Sequence, residues 1–300
     1  MSFPYVVNLI LNTNRRHDTL ACLASIANST YPNQMTIVLD NNSTDGSVES
    51  IRLAFPQVKI VELTQNLGYA GNNNLGIREA LSMGADWIFV LNEDTLLAPD
   101  CTEKLVSAAV IDPRTGVAGP MVYHHEEPAV IQSAGVMLDN KWRSFHIGQN
   151  EVDHGQFSIP QQVNCVSGCA MLVRRELVEQ VGMLDERFYY YWEETEWCIR
   201  AKKSGWNILH VPEAKMWHKG VQLNYQPKPS VTYYDTRNWL LLLSKHQAPL
   251  AVRMHAWWRT FWIMTSWTIQ PKWRQMVGHR SMMWKGFRDY LFKRWGALSG

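Results

Sequence analysis

The chain has 300 residues, 46% apolar and 19% charged, which leaves room for a sizeable core and excludes wholesale disorder. A net charge of +2 speaks against a dedicated nucleic-acid binder, yet residues 251–300 carry nine basic side chains against one acid, Asp289, while residues 1–250 sum to −6. Five scattered cysteines with no CxxC pair exclude a disulfide scaffold and are expected to be buried free thiols.

The elements follow in chain order. Residues 5–11 read as a buried strand without the basic flank of a secretory leader. Residues 15–29 have helical spacing, with Leu20, Leu23, Ala24 and Ala27 on one face. A second strand, 35–40, ends in the turn-rich NNSTDGS. A helix from about Val48 to Ala54 leads to a third strand, 58–63, then to a helix over 70–84 and a fourth strand over 86–94. This alternation predicts an α/β fold with a mostly parallel, doubly wound sheet whose ligands lie beyond the strands' carboxyl ends. Asn12, Asp40 and Asn92–Glu93–Asp94 are thereby placed around one crevice.

Beyond it, residues 116–123, 130–139 and 163–175 read as strands, 174–182 and 193–205 as helices, and 206–212 and 214–220 as two further strands. From about Gln222 the pattern turns helical and aromatic, over 231–246, 248–267 and 273–295, with prolines as punctuation. Seven tryptophans lie between Trp257 and Trp295. The uncharged run between Arg259 and Lys272 is shorter than the roughly 18 residues a spanning helix needs.

Four features carry chemistry. Asp94, ending an apolar strand, suits a divalent cation bridging a diphosphate; by itself it also fits a helix cap. Asp40 can accept hydrogen bonds from a ribose or a base edge, where Asp45 also fits a simple turn or cap. Glu193, Glu194 and Glu196 open a helix just after the aromatic run Tyr189–Trp192. Rings that desolvate a carboxylate raise its pKa toward that of a general base, and aromatic faces stack on sugars. The helix dipole alone would also favour acids there. His218 fits either a satisfied core histidine or a partner of Asp94 at a transition metal.

Taken in order, LDNNSTDGS, NLGYAGNNNLGI, VLNEDT, VSGCAMLVRRELVEQVGMLDERF, YYWEETEWCIRAKKSGW, MWHKG and YYDTRNWLLL resemble the family-two inverting glycosyltransferases of GT-A fold, and within them the bacterial rhamnosyltransferase-like branch. The resemblance runs from about Val6 to His246. It implies a GT-A nucleotide-sugar fold in residues 1–222, with a nucleotide-binding half (1–98) and an acceptor and catalytic half (99–222). Residues 223–300 become a helical, Trp-rich basic extension, a membrane-interface or oligomer contact.

Further implications concern single residues. Asp40 would contact the nucleoside with Asn12, Asn42 and Asp45 nearby, and Asn66 and Gly71 would line the nucleotide pocket. Asp94 matches the last acid of a metal-binding triplet whose first acid is here Asn92. His218 would complete the site for Mg²⁺ or Mn²⁺. Glu194 takes the place of the family's catalytic-base aspartate, with Glu193 able to share the role.

The implied reaction is a single in-line displacement that inverts the anomeric centre. A sugar, rhamnose first and UDP-linked hexoses or galactofuranose next, would pass from a dTDP- or UDP-sugar to a saccharide, naturally a lipid-linked one, in surface polysaccharide synthesis (O-antigen, capsule or cell wall). The basic, Trp-rich tail suits peripheral attachment to an anionic membrane, at the cytoplasmic face of the inner membrane, without a nucleic-acid partner. Contact with a second protomer is the alternative. Truncation after about Gln247 is expected to release the protein from membranes and leave the sheet intact. A nucleotide-sugar pyrophosphorylase would use a similar sheet, but NTNRRHD lacks the glycines of its phosphate loop. A non-catalytic carbohydrate binder would explain the tryptophans but not the acids and histidine in order.

Overall fold

A computed structural model describes residues 3–220, 222–223 and 225–298. The first half alternates strand β1 (Val6–Asn12), helix α1 (Arg16–Ala27), β2 (Gln34–Asp40), α2 (Ser47–Ala54), β3 (Lys59–Glu62), α3 (Gly68–Ser82) and β4 (Trp87–Asn92). Then come β5 (Thr95–Leu97), α4 (Cys101–Ala109), β6 (Thr115–His124), β7 (Ile131–Ser133), β8 (Val136–Leu138), β9 (Ser144–His146) and β10 (Gln161–Gln162). The rest is β11 (Ala170–Arg174), α5 (Arg175–Val181), α6 (Glu193–Lys203), β12 (Asn207–His218), α7 (Pro229–Lys245), α8 (Leu250–Ile269), a 3₁₀ turn (Pro271–Met276) and α9 (Val277–Leu291).

The main sheet runs β10-β12-β6-β11-β4-β1-β2-β3. Strands β3, β2, β1 and β4 are mutually parallel, and β6 and β12 are parallel to each other. Between β4 and β6 lies β11, antiparallel to both. The expected, mostly parallel α/β sheet is therefore present, with β11 reversed inside it and the short β5, β7 and β10 reversed against β12 and β6. Because β1 pairs with β2 on one side and β4 on the other, the chain changes direction around β1, and a crevice opens there beyond the carboxyl ends.

Alternation along β1 supplies both faces. Val7 and Leu9 join one buried cluster, with α3, α5 and α6; Val6 and Ile10 join the other, with α1 and α4. Gly76 lets α3 approach closely, since a Cβ there would meet Leu9 Cδ1 at 2.2 Å. A third cluster joins α6 to α7 and α8 through Trp192, Ile199, Trp239, Leu242 and Ala256.

Three local expectations differ. Residues 130–139 form two short strands, β7 and β8, because Gly135 turns the chain at φ +98°. The segments 206–212 and 214–220 are one strand, β12, whose register shifts between Val211 and Lys215. In the tail, where helical spacing puts Met283, Phe287, Tyr290 and Leu291 on one face, Met283 is buried and Phe287 and Tyr290 pack against the third cluster, whereas Leu291 is exposed. All five cysteines are buried free thiols.

Candidate active site

A cleft of about 590 Å³ opens at the crevice, within the roughly 300–1,000 Å³ of small-molecule sites. Its floor is the chain leaving β1 (Leu11, Thr13, Arg15) and β4 (Asn92, Glu93, Asp94). One wall comes from the start of α3, through Asn66, Gly68, Tyr69 and Asn72; the other comes from Tyr189–Tyr191, His218 and Tyr225.

Asp94 and His218 meet although 124 positions apart, because β5 returns Asp94 alongside the end of β12. Asp94 Oδ1 stands 3.1 Å from His218 Nε2 but receives no well-directed hydrogen bond. Both residues are only 7% exposed. On its far side the ring meets Gln132 Oε1 at 2.8 Å through Nδ1. A carbonyl oxygen can only accept, so Nδ1 donates to it and Nε2 is left to face the carboxylate. A carboxylate oxygen and a ring nitrogen that close call for a cation or a proton between them. Space is kept there: a Cβ at Gly220 would come within 2.7 Å of Asp94 Oδ2 and 3.0 Å of His218 Nε2. These residues fit a divalent cation, as two of its donors. Among the described residues, no third His, Cys, Asp or Glu closes on the same point.

Charge in the cleft is shared unequally. Burial and the neighbouring Asp94 push Glu93 up to about 7. Burial also acts on Asp94, but the His218 ring and Arg15 more than offset it and hold its carboxyl below the usual range. Arg15 was not expected as a site residue, and neither were Gln132, Gly68 and Tyr225; Glu93 was expected at the crevice, though with no role of its own. The basic pair Arg15–Arg16 just after β1 was the one sequence signal available for any of them.

The glutamates open α6. Glu193 is buried, its Oε2 has no partner, and burial followed by the charge of Glu194 drives its pKa far above the carboxylate range. Glu194 is less covered; burial raises it too, while Thr195 Oγ1 donates to its Oε1 at 3.1 Å. Neither forms part of the cleft wall. Tyr69 does, and both glutamate charges reach its phenol, which donates to Gly168 O at 2.6 Å. A Cβ at Gly168 would touch Glu194 Cγ at 3.3 Å. The third acid, Glu196, is fully buried and tied to Arg200, Lys245 and His246.

The tyrosine wall has an unusual backbone. Tyr189, Tyr191 and Trp192 all have positive φ, at 63°, 69° and 75°, a region that costs a bulky residue on the order of 1–3 kcal/mol. The buried Asn238 of α7 compensates: its Nδ2 donates to the carbonyls of Phe188, Tyr190 and Tyr191 at 2.8–2.9 Å. Arg237, also buried, donates to Phe188 O at 3.0 Å. Trp192 is not part of the wall. Its indole turns into the third cluster, donates to Asp235 at 3.0 Å and lies under Arg143.

The expected nucleotide-binding residues divide. Asn66 lines the cleft. Asp40, only 2% exposed, accepts from Asn12 Nδ2 at 2.7 Å and from the Ser43 amide at 2.8 Å, so it shapes the loop whose Asn41 faces the cleft. Asp45 accepts from the Arg16 amide at 2.9 Å and from Ser47, joining the starts of α1 and α2. Asn42 is exposed outside the cleft lining, with φ 55°. Gly71 lies within α3 against Leu67, where a Cβ would come within 2.5 Å. Of the two, the glycine that lines the cleft is Gly68, at φ +74°, where a Cβ would strike Tyr189.

A family model described as "Glycosyl transferase family 2" matches residues 9–182. An N-acetylglucosaminyl-diphospho-decaprenol L-rhamnosyltransferase of Mycobacterium tuberculosis is 27% identical over 262 residues, covering 79% of this chain and 81% of that protein. The dTDP-rhamnosyl transferase RfbF of Shigella flexneri is 26% identical, covering 71% and 72%. In fold, the chain is similar to a mannosyltransferase from Pyrobaculum calidifontis in complex with GDP-Man and Mn²⁺, with a TM-score of 0.59, 14% identity and coverage of 98% and 89%. It is also similar to TarS of S. aureus in complex with UDP-GlcNAc, with a TM-score of 0.59, 12% identity and coverage of 96% and 80%.

Proposed function

The chain belongs to glycosyl transferase family 2, and from that premise we propose that it moves rhamnose from dTDP-rhamnose to a saccharide carried on a lipid diphosphate, with inversion. The names of the two rhamnosyltransferase relatives support the sugar, the nucleotide and the lipid carrier. The observation that carries the reading is the cleft itself. One opening at the carboxyl ends of β1 and β4 gathers the Asp94–His218 pair, a cationic Arg15 and a tyrosine wall leading to two glutamates.

In this reading Asn66 and the loop shaped by Asn12, Asp40 and Asp45 hold the nucleoside, with Asn42 and Gly71 supporting from outside. Asp94 and His218 would hold Mg²⁺ or Mn²⁺, which supplies neutralisation of the charge growing on the departing nucleoside diphosphate. Arg15 adds a fixed positive charge on the same side. Tyr189 and Tyr190 offer ring faces to the acceptor sugar. Glu194 takes the proton from the acceptor hydroxyl as that oxygen attacks the anomeric carbon, so no covalent enzyme intermediate is formed. Glu193 beside it stays protonated and keeps a second negative charge out of the pair.

Residues 1–222 form the catalytic part and 223–300 the helical extension that meets the membrane. Among the described residues no helix is long and apolar enough to cross a bilayer. Helix α8 buries Val252, Ala256, Thr260 and Met264 and presents Leu250, Met254, Trp258, Phe261 and Trp262 outward, each more than half exposed. That stripe, beside the net charge of +8 on residues 251–300, suits the anionic cytoplasmic leaflet.

A donor panel of dTDP-, UDP- and GDP-sugars with a lipid-diphosphate disaccharide or monosaccharide acceptor tests the function. Release of dTDP and an inverted glycosidic product by NMR are expected. Transfer from no donor, or retention of configuration, overturns the reading.

A further inference from the structure

Away from the cleft, two cavities of about 410 and 450 Å³ lie among α7, α8 and α9 and share Ser244, Trp257 and Tyr290, which makes them one groove. Its walls are apolar, with Leu240, Leu243 and Met254 at one end and Leu241 and Trp295 at the other. The polar groups facing it are cationic. Arg253 sits at the first cavity, and its Nε is buried without a hydrogen-bond partner. Lys293, held at φ 53° just after α9, sits at the second, beside Lys245 and Arg187. Lys245 and Arg187 are engaged with Asp185. An apolar groove with a cationic cluster at one end is matched by an apolar chain that ends in a phosphate.

Position narrows the occupant. Leu250, Met254 and Trp257 belong both to the groove and to the exposed face of α8. Arg187 lines the groove and Tyr189, two residues on, lines the catalytic cleft, so their Cα atoms are at most about 7 Å apart. The groove thus lies between the apolar surface and the wall that faces the acceptor.

We propose that this groove seats the lipid chain of the acceptor, with its phosphate group at Lys293, beside Lys245 and Arg187. The proposal rests on the lipid-linked reading above for the identity of the occupant, but its test needs no transfer. Farnesyl diphosphate serves as the probe, read by quenching of tryptophan fluorescence in the full chain, with farnesol and inorganic diphosphate as separate arms. Farnesyl diphosphate is expected to bind at least tenfold more tightly than either part alone. Ser244→Phe, which fills the point shared by the two cavities, and Lys293→Gln should each weaken it about tenfold or more, with dTDP binding unchanged. Circular dichroism checks that Ser244→Phe folds; Lys293→Gln, on an exposed side chain, is the independent second variant. Binding by both variants as in the wild type, no preference over the separate arms, or displacement of the probe by dTDP would each overturn the proposal. If the probe binds as described and no lipid-linked acceptor is glycosylated, the functional reading fails and the groove stands.

Discussion

Glu193 and Glu194 are neighbours in sequence, yet ionisation costs them differently. Glu193 is almost fully enclosed with an unpartnered oxygen, and the charge of Glu194 adds to its burial; Glu194 has the Thr195 hydroxyl to stabilise its anion. The first proton lost from the pair therefore leaves Glu194. Glu194→Gln should lower kcat by roughly 10²-fold or more with donor KM little changed, in steady-state kinetics. Because burial raises the pKa of Glu194 above 4.5, the acid limb of the pH–rate profile should lie above that value, with activity rising as the base ionises. Glu193→Gln acts on stability instead. A carboxyl whose folded pKa is raised stabilises fully below its unfolded pKa, and that contribution is lost as pH rises toward the folded value. Gln does not titrate, so the variant's Tm should exceed the wild type's by a margin that grows from pH 5 to pH 8. At the metal pair, Asp94→Asn should abolish Mn²⁺ binding followed by electron paramagnetic resonance while the thermal transition persists. Unchanged Mn²⁺ affinity would refute that assignment.

At the scale of elements, α7 acts as a brace. Asn238 holds three carbonyls of a turn whose backbone is strained at Tyr189, Tyr191 and Trp192. Asn238→Ala takes this donor from the carbonyls of Tyr190 and Tyr191, while Phe188 O keeps Arg237, and should cost about 2 kcal/mol in denaturant unfolding. Acceptor KM should rise while donor KM holds, since the turn carries the tyrosine wall and not the floor of the cleft. Equal losses in both would show that the brace serves the whole cleft. The elements also show where sequence is informative. Asp94 could be read because an acid after an apolar strand stands at a sheet's ligand edge whatever surrounds it, and the spacing of β1 through β4 gave the α/β alternation. The positive φ values of Tyr189–Trp192 could not be read, because aromatic side chains carry no local preference for that region; tertiary contacts from Asn238 impose it. Gly71 and Gly68 look alike in NLGYAG, and only the approach of Tyr189 tells which one meets the cleft. Nor does a short apolar segment such as β11 announce its direction, which is set by the partners already in place.

Over the whole molecule, the helical extension both braces the site and meets its surroundings. Tyr233 donates to Asp289 at 2.9 Å, Arg237 to Gly296 O at 2.8 Å, and Gly286 allows α9 to touch the backbone of Tyr233. Truncation after Gln247 would remove these contacts and expose α7, so the expectation that the tail can be cut away cleanly gives way to a gentler test. Trp258, Phe261 and Trp262 are all more than half exposed, and changing the three to Ser should leave the fold intact. Flotation of the wild type with phosphatidylglycerol vesicles, lost in the triple variant and weakened by high salt, is expected, at about 1 kcal/mol per engaged basic residue. Flotation that survives the triple variant would place the contact elsewhere. The order of strands has a consequence for how the protein is made. β12 delivers His218 and lies between β10 and β6, so β6, buried along its whole length, keeps an open edge until β12 is in place. On the ribosome, the nucleotide half can close early, but the cation pair cannot exist until residue 218 has emerged. During that interval, the nascent chain presents a long apolar strand edge and no activity, which makes the stretch of translation between the emergence of β6 and that of β12 its period of greatest need for a chaperone.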